Sequence, residues 1–403
     1  MQSHSKNKTC VFTIVAPNYF GQALTLQVSL EPHSIDFKVV IVCEEGFKTD
    51  VFDSDKIIYS YQLDVENYAA KAFQFNILEH CTNIKPSCFK YLFCRESYDF
   101  VYYIDPDVFF YQTPESINSL FGDATVLLTP HTTTPVLDKF KPSDLEFLRT
   151  GIFNLGFIGI RPSKDSSRFL DWWSSRCLDF GFNDTSSGLF VDQKWMDLSI
   201  VYFENVRFTH SPVLNVAYWN LHERFVTYEK GEYLVNSEPL IFFHYSGLDP
   251  LNPQSLSKHQ SRLVVKNDTA LYSIVTSYSK ILIENSTFNM SEVPYTKFSN
   301  GVQITDIARR FFWKISKKQP FTNPFDANAE LYSVLVNKGY ITSKKVNAKS
   351  LSALSDMSQF SRKILIINII FKIILRVLGP TNYFMFIRFL KQRFSIISSY
   401  YEC

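Results

Sequence analysis

Two carboxylates stand one residue apart in Asp105-Pro106-Asp107, directly after the apolar and aromatic run Phe100-Val101-Tyr102-Tyr103-Ile104. The run has the β-branched and aromatic content of a buried strand. Residues i and i+2 of an extended segment point the same way, so both carboxylates project from the strand's carboxyl end toward one site. Hard oxygen ligands held in this way suit a divalent cation. The plain alternative is a turn, because Pro fixes φ and Asp accepts hydrogen bonds from nearby amides.

Four further segments bring side chains of matching chemistry. In residues 151–160, Asn154 lies between glycines at the start of a strand, where a backbone can approach a ligand closely, although a bulge explains such glycines as well. Asp192-Gln193-Lys194 opens a helix, so Asp192 is either a site carboxylate or an N-cap. His244-Tyr245-Ser246-Gly247 follows a strand; neutral imidazole joins carboxylates around manganese and similar ions, while an isolated His is often structural. Residues 215–220, with Asn215, Tyr218, Trp219 and Asn220, offer amides and rings suited to a sugar or to the core.

Regular elements must hold these groups. Residues 11–16 read as a strand, 22–30 as a helix and 37–43 as a second strand. Helical spacing runs over 68–93, interrupted near Pro86, and then comes the strand that ends at Asp105. Strands are also expected at 124–128, 155–160 and 240–243, and helices at 166–178 and 192–198. The alternation predicts a parallel, doubly wound α/β layer to about residue 255, whose ligands bind beyond the strands' carboxyl ends. Residues 256–360, with helices at 307–315 and 327–338, read as an accessory module.

The C-terminal 361–403 differ in kind. Residues 364–378 are almost wholly apolar, with Asn368, Lys372 and Arg376 falling on one helical stripe together with Arg362. Gly379-Pro380 ends the run, and a basic-aromatic segment through Arg393 follows. The first run is shorter than the roughly 20 apolar residues that span a bilayer, so these helices are expected to lie on a membrane surface. Packing against protein is the alternative.

Composition narrows the classes. The chain has 403 residues, enough for roughly two to three domains, and its net charge of +2 argues against nucleic acid as a partner. Its seven Cys include no CxxC pair, which makes a disulfide framework or zinc site unexpected. Residues 1–9 are polar and the apolar stretch after them is short, so no secretory leader is read and a cytoplasmic location is expected. Sequons at Asn183, Asn267 and Asn285 are then chance tripeptides.

In this order the segments resemble the metal-dependent glycosyltransferases of the GT-A fold, most of all the retaining family 8 enzymes and related bacterial polysaccharide and lipopolysaccharide glycosyltransferases. The resemblance covers about residues 10–250 and rests on the Asp-x-Asp strand end, the Asn/Gly strand, the Asp-Gln helix and the His-x-x-Gly strand end. It implies an α/β fold with a mixed sheet flanked by helices and a mainly helical C-terminal extension. It implies that Asp105, Asp107 and His244 ligate Mn²⁺ or Mg²⁺ on the diphosphate of a nucleotide-sugar donor. Gly247 would let the backbone approach the phosphates, and Asn154, beside Asp105, would contact the donor sugar.

Asp192 and Gln193 match the family's pair near the reacting anomeric carbon, where Asp192 acts as nucleophile, stabilises an oxocarbenium-like transition state or orients donor hydroxyls. An inverting course would instead need a base, with Asp197, Glu223 or Asp249 as candidates. Residues 13–19 resemble the strand and loop that hold the donor base, with Ala16 and Asn18 lining it and Tyr19 stacking. UDP-sugar is the favoured donor, although Pro17-Asn18 replaces the family's usual Asp. Lys85 matches a basic residue near the diphosphate, or is a surface lysine before a kink. After Gly247 the family continues Lys-Pro-Trp, whereas this chain has Leu248-Asp249-Pro250, leaving Lys194 or Lys85 as substitutes.

The implied activity is sugar transfer to a glycan or lipid-linked acceptor at the inner face of a membrane. Two rivals share the motif or the fold. An aspartate-nucleophile phosphatase also begins with Asp-x-Asp after a strand, but Phe109 stands where a Thr or Val is usual. A catalytically silent glycan-binding protein is the other.

Overall fold

The computed structural model describes residues 7–319, 321–342 and 361–393. Parts of three expectations therefore lie outside the described residues: the polar start at 1–6, the stretch 343–360 of the accessory module, and 394–403 of the C-terminal segment. The chain divides into two compact units, one of Met1–Tyr68 and Ile77–Pro294, the other of Ala69–Asn76 and Tyr295–Cys403.

The first unit is built on strands β1 (Thr9–Val15), β2 (Asp36–Ile41), β3 (Ile57–Tyr59), β4 (Phe100–Ile104), β5 (Val108–Phe110), β6 (Val126–Pro130), β7 (Phe153–Ile160), β8 (Val206–Phe208) and β9 (Phe242–His244). Seven of them form one sheet in the order β8-β6-β7-β4-β1-β2-β3. β7 runs antiparallel to both β4 and β6, while the other neighbours are parallel. The sheet is thus mixed, as the resemblance implies, and the all-parallel layer expected from alternation alone is corrected at β7. A strand buried on both faces is an unbroken apolar run and carries no mark of direction.

Helices α1 (Phe20–Leu30), α2 (Lys85–Arg95), α3 (Lys164–Phe180) and α4 (Ala270–Asn285) cover the sheet. Alternate residues of β1 serve its two faces. Val11 and Val15 join Phe20, Ala23 and Leu26 of α1 in one core. Phe12 instead packs edge-on against Phe89 of α2 at 4.9 Å between ring centroids, and Phe89 lies 6.5 Å from Trp173 of α3. Helix α4 shares the core of α1, and Asn285 donates to Thr25 Oγ1 at 3.1 Å. The first unit therefore runs to Pro294, past the boundary at 255 read from composition.

The second unit holds α5 (Asp306–Ser316), α6 (Glu330–Asn337) and α7 (Ser361–Arg393). Phe73, Phe298, Phe312, Leu331 and Leu335 form its core. Within α7 the backbone breaks at Gly379, at φ 72°, just before Pro380. Taken together, Leu365–Leu390 is long and apolar enough to cross a membrane by length and composition, at 26 residues, whereas the sequence reading weighed only the run before Gly379. Ile367, Ile370, Val377 and Phe384 are among its exposed side chains.

Candidate active site

β4 ends at Ile104 where expected, and Asp105-Pro106-Asp107 then makes a tight turn into β5, with Val108 N–H donating to the Asp105 carbonyl at 3.2 Å. The turn alternative is what the structure shows, and it is compatible with a metal site: the carboxylates converge through a turn, not through two steps of a strand. β5 pairs antiparallel with β9, placing His244 opposite Val108, and Tyr245 N–H donates to the Asp107 carbonyl at 2.8 Å. That pairing carries a residue 137 positions downstream of Asp107 to its side. His244 Nε2 lies 3.0 Å from Asp107 Oδ1 and 3.7 Å from Asp105 Oδ2. Asp105, Asp107 and His244 form a group able to hold a metal ion, with ligand atoms all within 4.8 Å of one another.

Their electrostatics follow from this contact. Burial pushes the His244 imidazole down, but Asp107 and Asp105 outweigh it and its pKa is raised. Burial pushes Asp107 up, but His244 more than offsets this and holds the carboxyl low. Tyr103 donates its hydroxyl to Asp105 Oδ1 at 2.5 Å.

Behind the turn, Lys85 is 2% exposed, which excludes the surface-lysine alternative. It opens α2, with Pro86 in the first turn where a missing N–H costs nothing. Its ammonium donates to the Leu155 carbonyl at 3.0 Å, lies 2.9 Å from Asp192 Oδ2 and 3.9 Å from Asp105 Oδ1, and sits over the Tyr103 ring at 4.1 Å. Asp192 is buried and caps no helix with its side chain. Burial pushes its carboxyl up to about 6, against the pull of Lys85. Two carboxylates thus gather around one buried lysine.

The remaining predicted residues occupy defined places. Gln193 accepts from Leu155 N–H and donates to the Thr150 carbonyl, each at 3.0 Å, bracing the start of β7. Asn154 accepts from Gly156 N–H at 3.0 Å. Ala16 is buried and its carbonyl accepts from Tyr19 N–H at 2.9 Å, while the Tyr19 ring is 48% exposed and the Asn18 Oδ1 atom has no protein partner. Gly247 has φ 70°, and a Cβ there would meet His259 at 2.5 Å and Ser257 at 2.8 Å. The 257–259 loop, not only a ligand, therefore needs glycine at 247.

The alternative groups are engaged elsewhere. Asp197 accepts from Ile152 N–H at 3.0 Å and pairs with Lys194 at 2.7 Å. Glu223 accepts from Thr133 and Thr134, and Asp249 accepts from Leu251 N–H. Trp219 is buried and meets the His244 ring edge-to-face at 5.1 Å, so it supports the site rather than facing a sugar.

Two residues support His244 in a way the sequence does not reveal. Gly156 of β7 lets His244 lie against the sheet, since a Cβ would stand 2.3 Å from the His244 ring. Asn215 reads as an amide suited to a sugar or to the core, whereas its Oδ1 lies 3.0 Å from His244 Nδ1. Its left-handed backbone, φ 53°, is one that Asn tolerates and most residues do not, a weak signal available from residue type alone.

No protein-family model matches the chain. It is 28% identical over 250 residues to the uncharacterized protein YfnF of Bacillus subtilis (strain 168), covering 58% of this chain and 80% of that protein. Uncharacterized protein YfnD of the same organism is 25% identical over 244 residues, covering 58% and 76%. Similar solved structures include the galactosyltransferase LgtC in complex with donor and acceptor sugar analogs, at TM-score 0.39 and 14% identity, covering 71% of this chain and 97% of that one. Another is the glycosyltransferase GlyE of Streptococcus pneumoniae TIGR4, at TM-score 0.39 and 15% identity, covering 73% and 67%. At these identities and scores the likeness assigns no activity to this chain.

Proposed function

We propose that this chain is a metal-dependent glycosyltransferase that moves a sugar, with retention, from a nucleotide-diphosphate donor to a glycan or lipid-linked acceptor in bacterial surface polysaccharide or lipopolysaccharide synthesis. The observation that carries this reading is the convergence of Asp105, Asp107 and His244 at one strand end, in the order of motifs that resembles family 8. Two carboxylate oxygens and an imidazole nitrogen suit Mn²⁺ or Mg²⁺. A dication held there neutralises the charge that develops on a departing nucleoside diphosphate. UDP is the favoured carrier.

The other residues divide the remaining work. Tyr19 offers an exposed ring to the base, with Asn18 beside it. Asn154 and Gln193 shape the donor-sugar side of β7. Asp192, held by Lys85, supplies negative charge and hydroxyl contacts where positive charge grows on the anomeric carbon. Lys85 thereby couples Asp192 to Asp105 rather than reaching for phosphate. The exposed apolar and basic surface of α7 fits attachment to an anionic bilayer at the cytoplasmic face, where a lipid-linked acceptor is presented.

The test is release of nucleoside diphosphate from a panel of UDP-, GDP- and dTDP-sugars with Mn²⁺ or with a chelator. Metal-dependent release from one donor is expected, falling about a hundredfold or more in Asp107→Ala, since the metal contributes several kcal/mol. Metal-independent release, or wild-type turnover in Asp107→Ala, overturns the proposal.

A further inference from the structure

We propose that Asn215 is a positioning residue that holds His244 in the tautomer whose Nε2 lone pair faces Asp105 and Asp107; the inference rests on the metal reading of that group. A backbone amide fixes the polarity of the whole relay, because it can only donate. Gly156 N–H donates to the side chain of Asn154 at 3.0 Å, so the Asn154 atom facing it is the carbonyl oxygen. The same Oδ1 lies 3.0 Å from Asn215, and an oxygen that only accepts requires a donor there, which makes that Asn215 atom Nδ2. Nδ2 also donates to Thr129 Oγ1 at 2.9 Å. The remaining atom of the Asn215 amide, its oxygen, is therefore the one 3.0 Å from His244 Nδ1.

An amide oxygen accepts, so Nδ1 carries the proton. A neutral imidazole has one N–H, which leaves Nε2 as a lone pair aimed at Asp107 Oδ1, 3.0 Å away, and Asp105 Oδ2, 3.7 Å away. With the imidazole neutral, three acceptors face one another, a donor set suited to a cation. The whole relay, Asn154, Asn215 and His244, is buried, at 9%, 0% and 3% exposure, so water does not compete for these hydrogen bonds. Outer partners of this kind fix the orientation and basicity of a metal ligand.

Two measurements on the full chain test this. Mn²⁺ alone is titrated by electron paramagnetic resonance into wild type, Asn215→Gly, His244→Ala and the double variant; glycine keeps the left-handed backbone unstrained. Asn215→Gly is expected to weaken Mn²⁺ binding about 10- to 100-fold. In the His244→Ala background the same substitution is expected to change it less than about twofold, as it should when Asn215 acts through His244. ¹⁵N spectra of histidine-labelled wild type are expected to show neutral His244 protonated on Nδ1, a readout that needs no variant to fold. An Nε2–H tautomer, equal affinity in Asn215→Gly, or the same loss in both backgrounds overturns the proposal. Wild-type protein that binds no Mn²⁺ overturns the metal reading together with it.

Discussion

In the proposed reaction, the buried side chain of Asp192 would set the pH range. Its carboxyl is pushed up to about 6 by burial, with Lys85 pulling it down and Asp105 adding to the rise. The ionised form needed opposite a developing positive charge is populated only above that value. We expect kcat/KM to rise with pH through a limb near 6, and Asp192→Asn to remove the limb while lowering the rate about a hundredfold or more at neutral pH. A pH profile of donor hydrolysis checks both. The stability effect has the opposite sign. Because the folded value lies above the usual 3.8, the contribution of this group is complete below 3.8 and is lost as pH rises through about 6. Lys85 is the counter-charge, and Lys85→Met leaves Asp192 buried without its partner, a change that costs about 3–5 kcal/mol in denaturant unfolding.

At the scale of elements, the segment 69–76 is tied into the second unit by a side chain from α5. Arg309, buried at 2% exposure, donates to the carbonyls of Phe73 and Phe75 at 2.8 and 2.6 Å and to that of Tyr295 at 2.6 Å. These include carbonyls at the end of the helix Tyr68–Gln74, which the helix itself cannot satisfy. Arg309→Leu is expected to destabilise the protein by about 3 kcal/mol or more, because each buried carbonyl that loses its donor costs about 1–3 kcal/mol. A shifted denaturant midpoint at unchanged slope would register it. Nothing in the sequence pointed to this tie, since an Arg in an amphipathic helix reads as solvent-facing.

Other elements were legible from residue type alone. β4 runs from Phe100 to Ile104 as read, because an aromatic and β-branched run closed by Asp-Pro has clear edges. The break at Gly379-Pro380 was equally clear. The direction of β7 was not, and neither was the union of β5 with β9, because pairing between strands distant in sequence leaves no local pattern. For the same reason the triad Asp105, Asp107 and His244 was found through motif order, whereas Asn215 and Gly156, which act by contact with His244, were not. Lys85 was noticed, but its burial follows from two carboxylates that only the fold brings near.

At the scale of the whole molecule, the first unit carries the candidate site and the second contains the apolar, basic helix α7. Lys372, Arg376 and Arg388 are exposed on it among Ile, Leu and Phe side chains. A basic residue near an anionic surface contributes about 1 kcal/mol, so replacing all three with Gln is expected to weaken binding to anionic vesicles about a hundredfold, with little change on neutral vesicles. Cosedimentation with vesicles of each composition measures this, and equal binding to both would count against an anionic surface. A crystal structure of the full chain with Mn²⁺ and UDP, using anomalous scattering to locate the metal, is expected to place one ion within about 2.0–2.4 Å of Asp105, Asp107 and His244 Nε2, bridging to the diphosphate. An ion bound elsewhere, or UDP bound with no metal at these three residues, would contradict it.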